Sequence, residues 1–384
     1  MKPAQRILAT AGFLSLVAPV FAVDSPIDRS IAWSDGVFNA VAQPLIVTSG
    51  APPVGGAPAT GDDRLADPGD LSTSGGVDLS GVGRLFLDVS PTPGAGAICS
   101  SSLMQGGRFL LTAAHCVTDE NGDEAVIDGA DGNSVTFETS TGNVFASFDA
   151  EDISVHPLYN GDVRDGFDVA VIDLGQTQPT SVARYALNDS SPEGGLHLAA
   201  GFGQSGDGGA GATVGAGSLR SGFNNFLVAG LPVGNINNPE TQLTADFDSG
   251  LAENDAFGVL GDALFGAAID DPINGGLGLG VDEIGVAPGD SGGPTFIETA
   301  DGLVIAGVHS YGLRLELIGG ATSDLDAALN SSFGEFYVDA RVADPAVLAF
   351  IESAAIPEPT AIVLLLSGVA LPRRRSWRDA PIEA

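Results

Sequence analysis

The stretch PGDSGGP, residues 288–294, sets Ser291 among three glycines with Asp290 directly before it. Ordered glycine carries an entropic cost, so a cluster this dense points to backbone that must approach something closely or take dihedrals closed to other residues. A nucleophilic hydroxyl facing an oxyanion site is one such demand, and a surface turn is another. The chain holds 54 glycines, so the glycines alone do not decide between them. The decision rests on whether the sequence also supplies a base for Ser291 and a carboxylate to hold that base in the right tautomer.

Working outward, the chain has four histidines: His115, His156, His197 and His309. His115 closes the apolar run FLLTAAHC, which would present it from the end of a buried strand. Asp168 opens DVAVIDL, and an acid at the mouth of so apolar a strand needs a partner. Similar short runs, RLFLDV at 84–89 and LVIAGVHS at 303–310, are separated by Gly, Asp and Asn turns, a texture that argues for an all-β sandwich or barrel. A clear helical period appears only in DPAVLAFIESAA, residues 344–355. The Gly-rich stretches 203–218 and 273–280 read as loops, and neither has the strand-GxxxxGK-helix context of a phosphate cradle.

Composition narrows the function classes. Hydrophobic residues make up 44% of the 384, a globular share, and the formal net charge is -34. That charge excludes a phosphate-backbone partner and disfavours anionic membrane surfaces. Lys2 and Arg6 precede the apolar run ILATAGFLSLVAPVFA, which ends in small residues at Val20 and Ala22 and reads as a secretory signal over 1–22. Residues 23–78 read as an acidic, Gly/Pro-rich pro-segment or linker, clearest at 49–70. In an exported chain the two cysteines, Cys99 and Cys116, most simply form one disulfide.

At the other end, Pro357, Glu358 and Pro359 precede an apolar run, Thr360 to Leu371, and then Arg373, Arg374 and Arg375. The apolar run is too short to settle as a spanning helix. Residues 356–378 resemble the PEP-CTERM sorting signal of Gram-negative bacteria, with 379–384 as a tail. That resemblance implies processing by an exosortase, only transient membrane contact, and delivery from the periplasm to the cell surface or extracellular matrix.

LTAAHC, DVAVIDL and GDSGGP, in that order, resemble the three signatures of the trypsin-like (chymotrypsin-fold) serine proteases. VHPLYN at 155–160, GFG at 201–203 and HSYG at 309–312 add to the likeness. The resemblance implies an all-β domain over 79–355, two six-stranded antiparallel β-barrels with a C-terminal helix. It implies that Ser291 attacks the scissile carbonyl of a protein or peptide substrate, His115 moves the proton, Asp168 orients the imidazole, and the N–H groups of Gly289 and Ser291 hold the oxyanion. Gly285, His309, Ser310 and Gly312 fall at the substrate pocket, with Ser310 to Gly312 on the strand that pairs with the substrate backbone; no cofactor and no metal is expected.

The chain departs from the family where activation is concerned. No Arg or Lys is followed by an Ile-Val-Gly-Gly start, so the partner of Asp290 is expected to be an amine released by cleavage between Asp70 and Leu85. Gly285 stands where an acid would select Lys or Arg, so neutral or acidic P1 residues are expected. A protease-fold surface or matrix binding protein without efficient catalysis is the alternative reading.

Overall fold

The computed structural model describes residues 30–44, 47–49, 77–93, 96–129, 131–225, 229–265, 277, 279 and 283–356. The expected signal at 1–22, the stretch 50–76 and the sorting motif with Pro357, Glu358 and Pro359 lie outside the described residues.

The first half supplies β1 (Ile31–Ser34), β2 (Phe38–Pro44), β3 (Val47–Ser49), β4 (Val82–Asp88), β5 (Gly96–Leu103), β6 (Phe109–Thr112), β7 (Asn133–Thr139), β8 (Gly142–Phe148), β9 (Ile153–Val155) and β10 (Ala170–Asp173). Of these, β4 to β10 and β3 form one eight-stranded sheet in the order β8-β7-β4-β5-β6-β10-β9, with β3 beside β5. Burial alternates along NSVTFET in β7, so one face of that strand enters the core while the other meets less enclosed surroundings. β5 is buried throughout, because it has strands on both edges and the second sheet against it.

The second half supplies β11 (Ala186–Leu187), β12 (Leu196–Gly201), β13 (Ser205–Asp207), β14 (Gly211–Val214), β15 (Arg220–Asn225), β16 (Gln242–Asp246), α1 (Ala256–Phe265), β17 (Pro294–Thr299), β18 (Gly302–Leu317), β19 (Phe336–Arg341) and α2 (Pro345–Ala354). Six antiparallel strands, β12 and β15 to β19, make the body of a nine-stranded sheet, which the hairpin β1–β2 and the parallel β11 extend. Two curled antiparallel half-barrels with few helices thus form a chymotrypsin-like double β-barrel. One apolar core runs through both, from Leu85, Phe137 and Val171 to Phe296 and Ile305. No helix among the described residues is long and apolar enough to cross a membrane.

The expected C-terminal helix is α2, where the Asp344 carboxylate accepts from the Ala346 and Val347 N–H groups and Val347 and Ile351, one turn apart, face the core. Three expectations meet a different arrangement. Residues 205–207 and 211–214, read as loop, form the β13–β14 hairpin. Residues 256–265 form α1, whose glycines at 258 and 261 lower its helix propensity and hid it in the sequence. Part of the segment read as pro-segment or linker is built into the domain: β2 pairs with β18 and β3 pairs with β5. Phe38, Ala40 and Ala42 alternate inward and join an apolar cluster with Leu260, Leu313 and Leu315.

Candidate active site

β6 ends at Thr112, and the single helical turn Ala114–Cys116 that follows carries His115 to the seam between the barrels. The Cys99–Cys116 disulfide, with Cα atoms 6.4 Å apart, ties this turn to β5. Asp168 lies two residues before β10, whose pairing with β6 brings the carboxylate under the imidazole. His115 Nδ1 lies 2.6 Å from Asp168 Oδ2, and the His115 backbone N–H donates to Asp168 Oδ1 at 2.8 Å. His115 Nε2 lies 2.8 Å from Ser291 Oγ, which the loop before β17 supplies from the other barrel. Ser310 Oγ donates to Asp168 Oδ2. Burial alone would raise the Asp168 pKa, but the charge and hydrogen bonds of His115, with Ser310, hold it below the usual value. Ser291 and His115 each have 0% exposure.

The glycine question raised by residues 288–294 has a geometric answer. Gly289 has φ +100°, and Gly292 has φ +79° with space for a Cβ only 2.0 Å from Thr112 Oγ1. The N–H groups of Asp290, Gly292 and Gly293 donate to Ala287, His309 and Asp290 carbonyls. The other two N–H groups of residues 289–293 belong to Gly289 and Ser291, the pair expected to face an oxyanion. Ser100 Oγ donates to the Gly289 carbonyl at 2.9 Å, and the Ser100 N–H donates to the Ser291 carbonyl at 2.7 Å.

Of the four residues expected at the substrate pocket, Gly285 and His309 line one cavity together. Gly285 and Gly312 line one small pocket with Phe247, Glu335 and Tyr337. Ser310 faces Asp168, while His309 pairs through Nδ1 with Asp339 Oδ1 at 2.9 Å. Burial pulls the His309 pKa down, but Asp339, then Asp290, lift it above its ordinary value. His197, bonded to the Tyr337 hydroxyl, is pushed down to about 3 by burial and by His309. Glu335 carries no local sequence signal, since its place beside the pocket depends on the pairing of β18 with β19. Burial pushes its carboxyl up to about 7, and its oxygens accept from the Asn330 and Ser331 N–H groups and from Ser332 Oγ.

Asp290 accepts from the Gly203 N–H at 2.7 Å and the Ala287 N–H at 2.9 Å. Its side chain borders a cavity of about 60 Å³ that Arg220 and His309 also line, and burial pushes its pKa up. Two backbone donors thus meet the carboxylate that was expected to require an amine. The expected cleavage window narrows as well, since Val82 to Leu85 lie inside β4 and Arg84 Nη1 donates to the Gly217 carbonyl at 2.8 Å.

Asp246, Asp248 and Glu283 were not anticipated. Their carboxylate oxygens lie within 4.8 Å of one another, all three are buried, and together they form a donor set able to share a cation. Asp248 is pushed up to about 10 by burial and then by Asp246, Glu283 and Asp255. Only the pair at 246 and 248 is local in sequence, so no spacing motif announces the group.

A hydroxyl, an imidazole and a carboxylate in this chain can move a proton from Ser291 toward His115 while Asp168 supports the imidazolium. A family model described as Trypsin matches residues 85–221, a span that includes His115 and Asp168 and ends before Ser291. No curated protein matches the chain. The match agrees with the chymotrypsin-like double β-barrel of the structure.

Proposed function

We propose that the chain is a serine endopeptidase that cleaves protein or peptide substrates through an acyl-enzyme on Ser291. The observation that carries this reading is the continuous hydrogen-bonded line from Ser291 Oγ through His115 to Asp168, with spacings of 2.8 and 2.6 Å. His115 takes the Ser291 proton as Oγ bonds to the scissile carbonyl carbon, and returns it to the leaving amine. The Gly289 and Ser291 N–H groups hold the oxyanion, where one donor is worth roughly 2.7 to 4 kcal/mol. Gly285 at the pocket base brings no acid to a basic P1 side chain, and Glu335 spends its oxygens on its own turn. Neutral P1 residues follow.

Export belongs to the same proposal. The N-terminal signal and the PEP-CTERM-like terminus support passage through the periplasm, exosortase processing and a place at the cell surface or matrix.

The test is labelling with a fluorophosphonate. A competent Ser291 takes the probe and Ser291→Ala does not; a folded chain that stays unlabelled after its N-terminal segment is displaced would exclude the hydrolase. A binding role is the second reading, and the complete burial of Ser291 and His115 is the observation that favours it.

A further inference from the structure

Ser291 and His115 have 0% exposure, yet a nucleophile and its base must be reached by substrate. Two strands of the chain's own N-terminal part are paired beside this region. β2 runs antiparallel along β18 with Leu313 opposite Ala42, Gly312 opposite Gln43 and Tyr311 opposite Pro44. Those β18 residues continue directly from Ser310, which holds Asp168, and from His309, whose carbonyl accepts from Gly292 beside the nucleophile. Three residues beyond Pro44 the chain is paired again, on the other barrel: Val47 lies opposite Ile98, Thr48 opposite Ala97 and Ser49 opposite Gly96. Ile98 is two residues before Ser100, whose N–H donates to the Ser291 carbonyl.

The two edges therefore flank Ser291, with β2 paired to one and β3 to the other. Peptides bind proteases in this manner, as a strand added to a free edge, with main-chain hydrogen bonds giving affinity. Here β19 takes one side of the Tyr311–Leu313 stretch of β18, and β2 takes the other.

The hairpin is also anchored well away from the nucleophile. Trp33 Nε1 donates to the Gly234 carbonyl at 2.6 Å, the Gly234 N–H donates to Asp35 Oδ2 at 2.8 Å, and the Arg164 guanidinium lies 4.9 Å from the Trp33 ring centre. Phe38, Ala40 and Ala42 pack into the cluster that α1 builds.

We infer that the strands Phe38–Pro44 and Val47–Ser49 occupy, as an intramolecular substrate, the two edges flanking Ser291 along which a peptide would lie. They block peptides in trans, and the chain between these two strands is the first that the site cuts. The cleavage half rests on the hydrolase reading; the occupancy half does not. A tethered strand competes at an effective concentration in the millimolar range, so a micromolar free peptide cannot displace it.

The test uses the full chain carrying Ser291→Ala and a fluorescein-labelled peptide with the sequence of residues 40–49, AVAQPLIVTS. With the segment intact the peptide should not bind measurably. Ala42→Asp, which puts a carboxylate into the apolar cluster, should tighten binding at least about tenfold. Val41→Pro, which removes a ladder donor but keeps the buried contacts, should act in the same direction. Thermal melting checks that each variant keeps its fold. Equal binding to intact and folded variant chains would overturn the inference.

In parallel, the Ser291 chain is followed by N-terminal sequencing. New ends at residues 45 to 47, at a rate independent of protein concentration, are expected. Cutting elsewhere, or a rate proportional to concentration, would overturn the cleavage half. Tightened peptide binding with no cutting in the Ser291 chain would uphold the occupancy and sink the hydrolase reading instead.

Discussion

Asp168 is a buried carboxylate with its donors supplied by His115 and Ser310. Replacing it by Asn keeps the shape but favours the wrong imidazole tautomer, so kcat should fall by about four orders of magnitude while the fold persists. A kcat within tenfold of the parent would show that another group orients His115. Ser310→Ala removes one donor from a buried charge and should cost roughly 1 to 3 kcal/mol of stability. Chemical denaturation of the two proteins measures it. The reach of sequence reading at this scale follows from chemistry: Ser291, His115 and Asp168 sit in short strings whose backbone shape is local. Glu335 and the Asp246, Asp248 and Glu283 group were not legible, since their meaning depends on which strands pair across the second barrel.

Single elements carry two further expectations. The Cys99–Cys116 bridge closes a 17-residue separation, and removing it through the double change to Ser should lower stability by about 3 kcal/mol in the chain-entropy picture. An unchanged denaturation midpoint would leave the bridge no structural role. The acid group beside α1 sets a pH trend. Asp248 is pushed from an ordinary 3.8 up to about 10, so its contribution is fully present below pH 4 and is lost as pH rises toward 10. With a chelator present, Tm should decline from pH 5 to pH 9, and Asp248→Asn should flatten that decline. A parent Tm that rises across this window would contradict the protonated, buried state. Elements with strong local pattern were readable in sequence, as β4, β6 and α2 demonstrate. β2 was obscured despite the alternation of Phe38, Ala40 and Ala42, because the Gly/Pro-rich stretch that follows dominated the composition and its partner β18 lies far along the chain. α1 was lost to its glycines.

The whole molecule is strongly anionic, with a net charge of -34. Cationic peptides should therefore be captured faster at low ionic strength, and their kcat/KM should fall several-fold as salt rises from tens to hundreds of millimolar, while neutral peptides change little. Equal salt dependence for both would assign the effect to something other than steering. The barrel-to-barrel division of the site bears on timing. His115 and Asp168 belong to the first barrel, whereas Ser291 arrives with the second, held to the first by the Ser100–Ser291 backbone contact. A chain emerging from its N-terminus therefore presents His115 and Asp168 well before Ser291 has been made. Until the strands after residue 291 are in place Ser291 cannot meet the other two side chains, so under the proposed function the capacity to cut a peptide bond arrives only with the last third of the chain, an order set by synthesis itself.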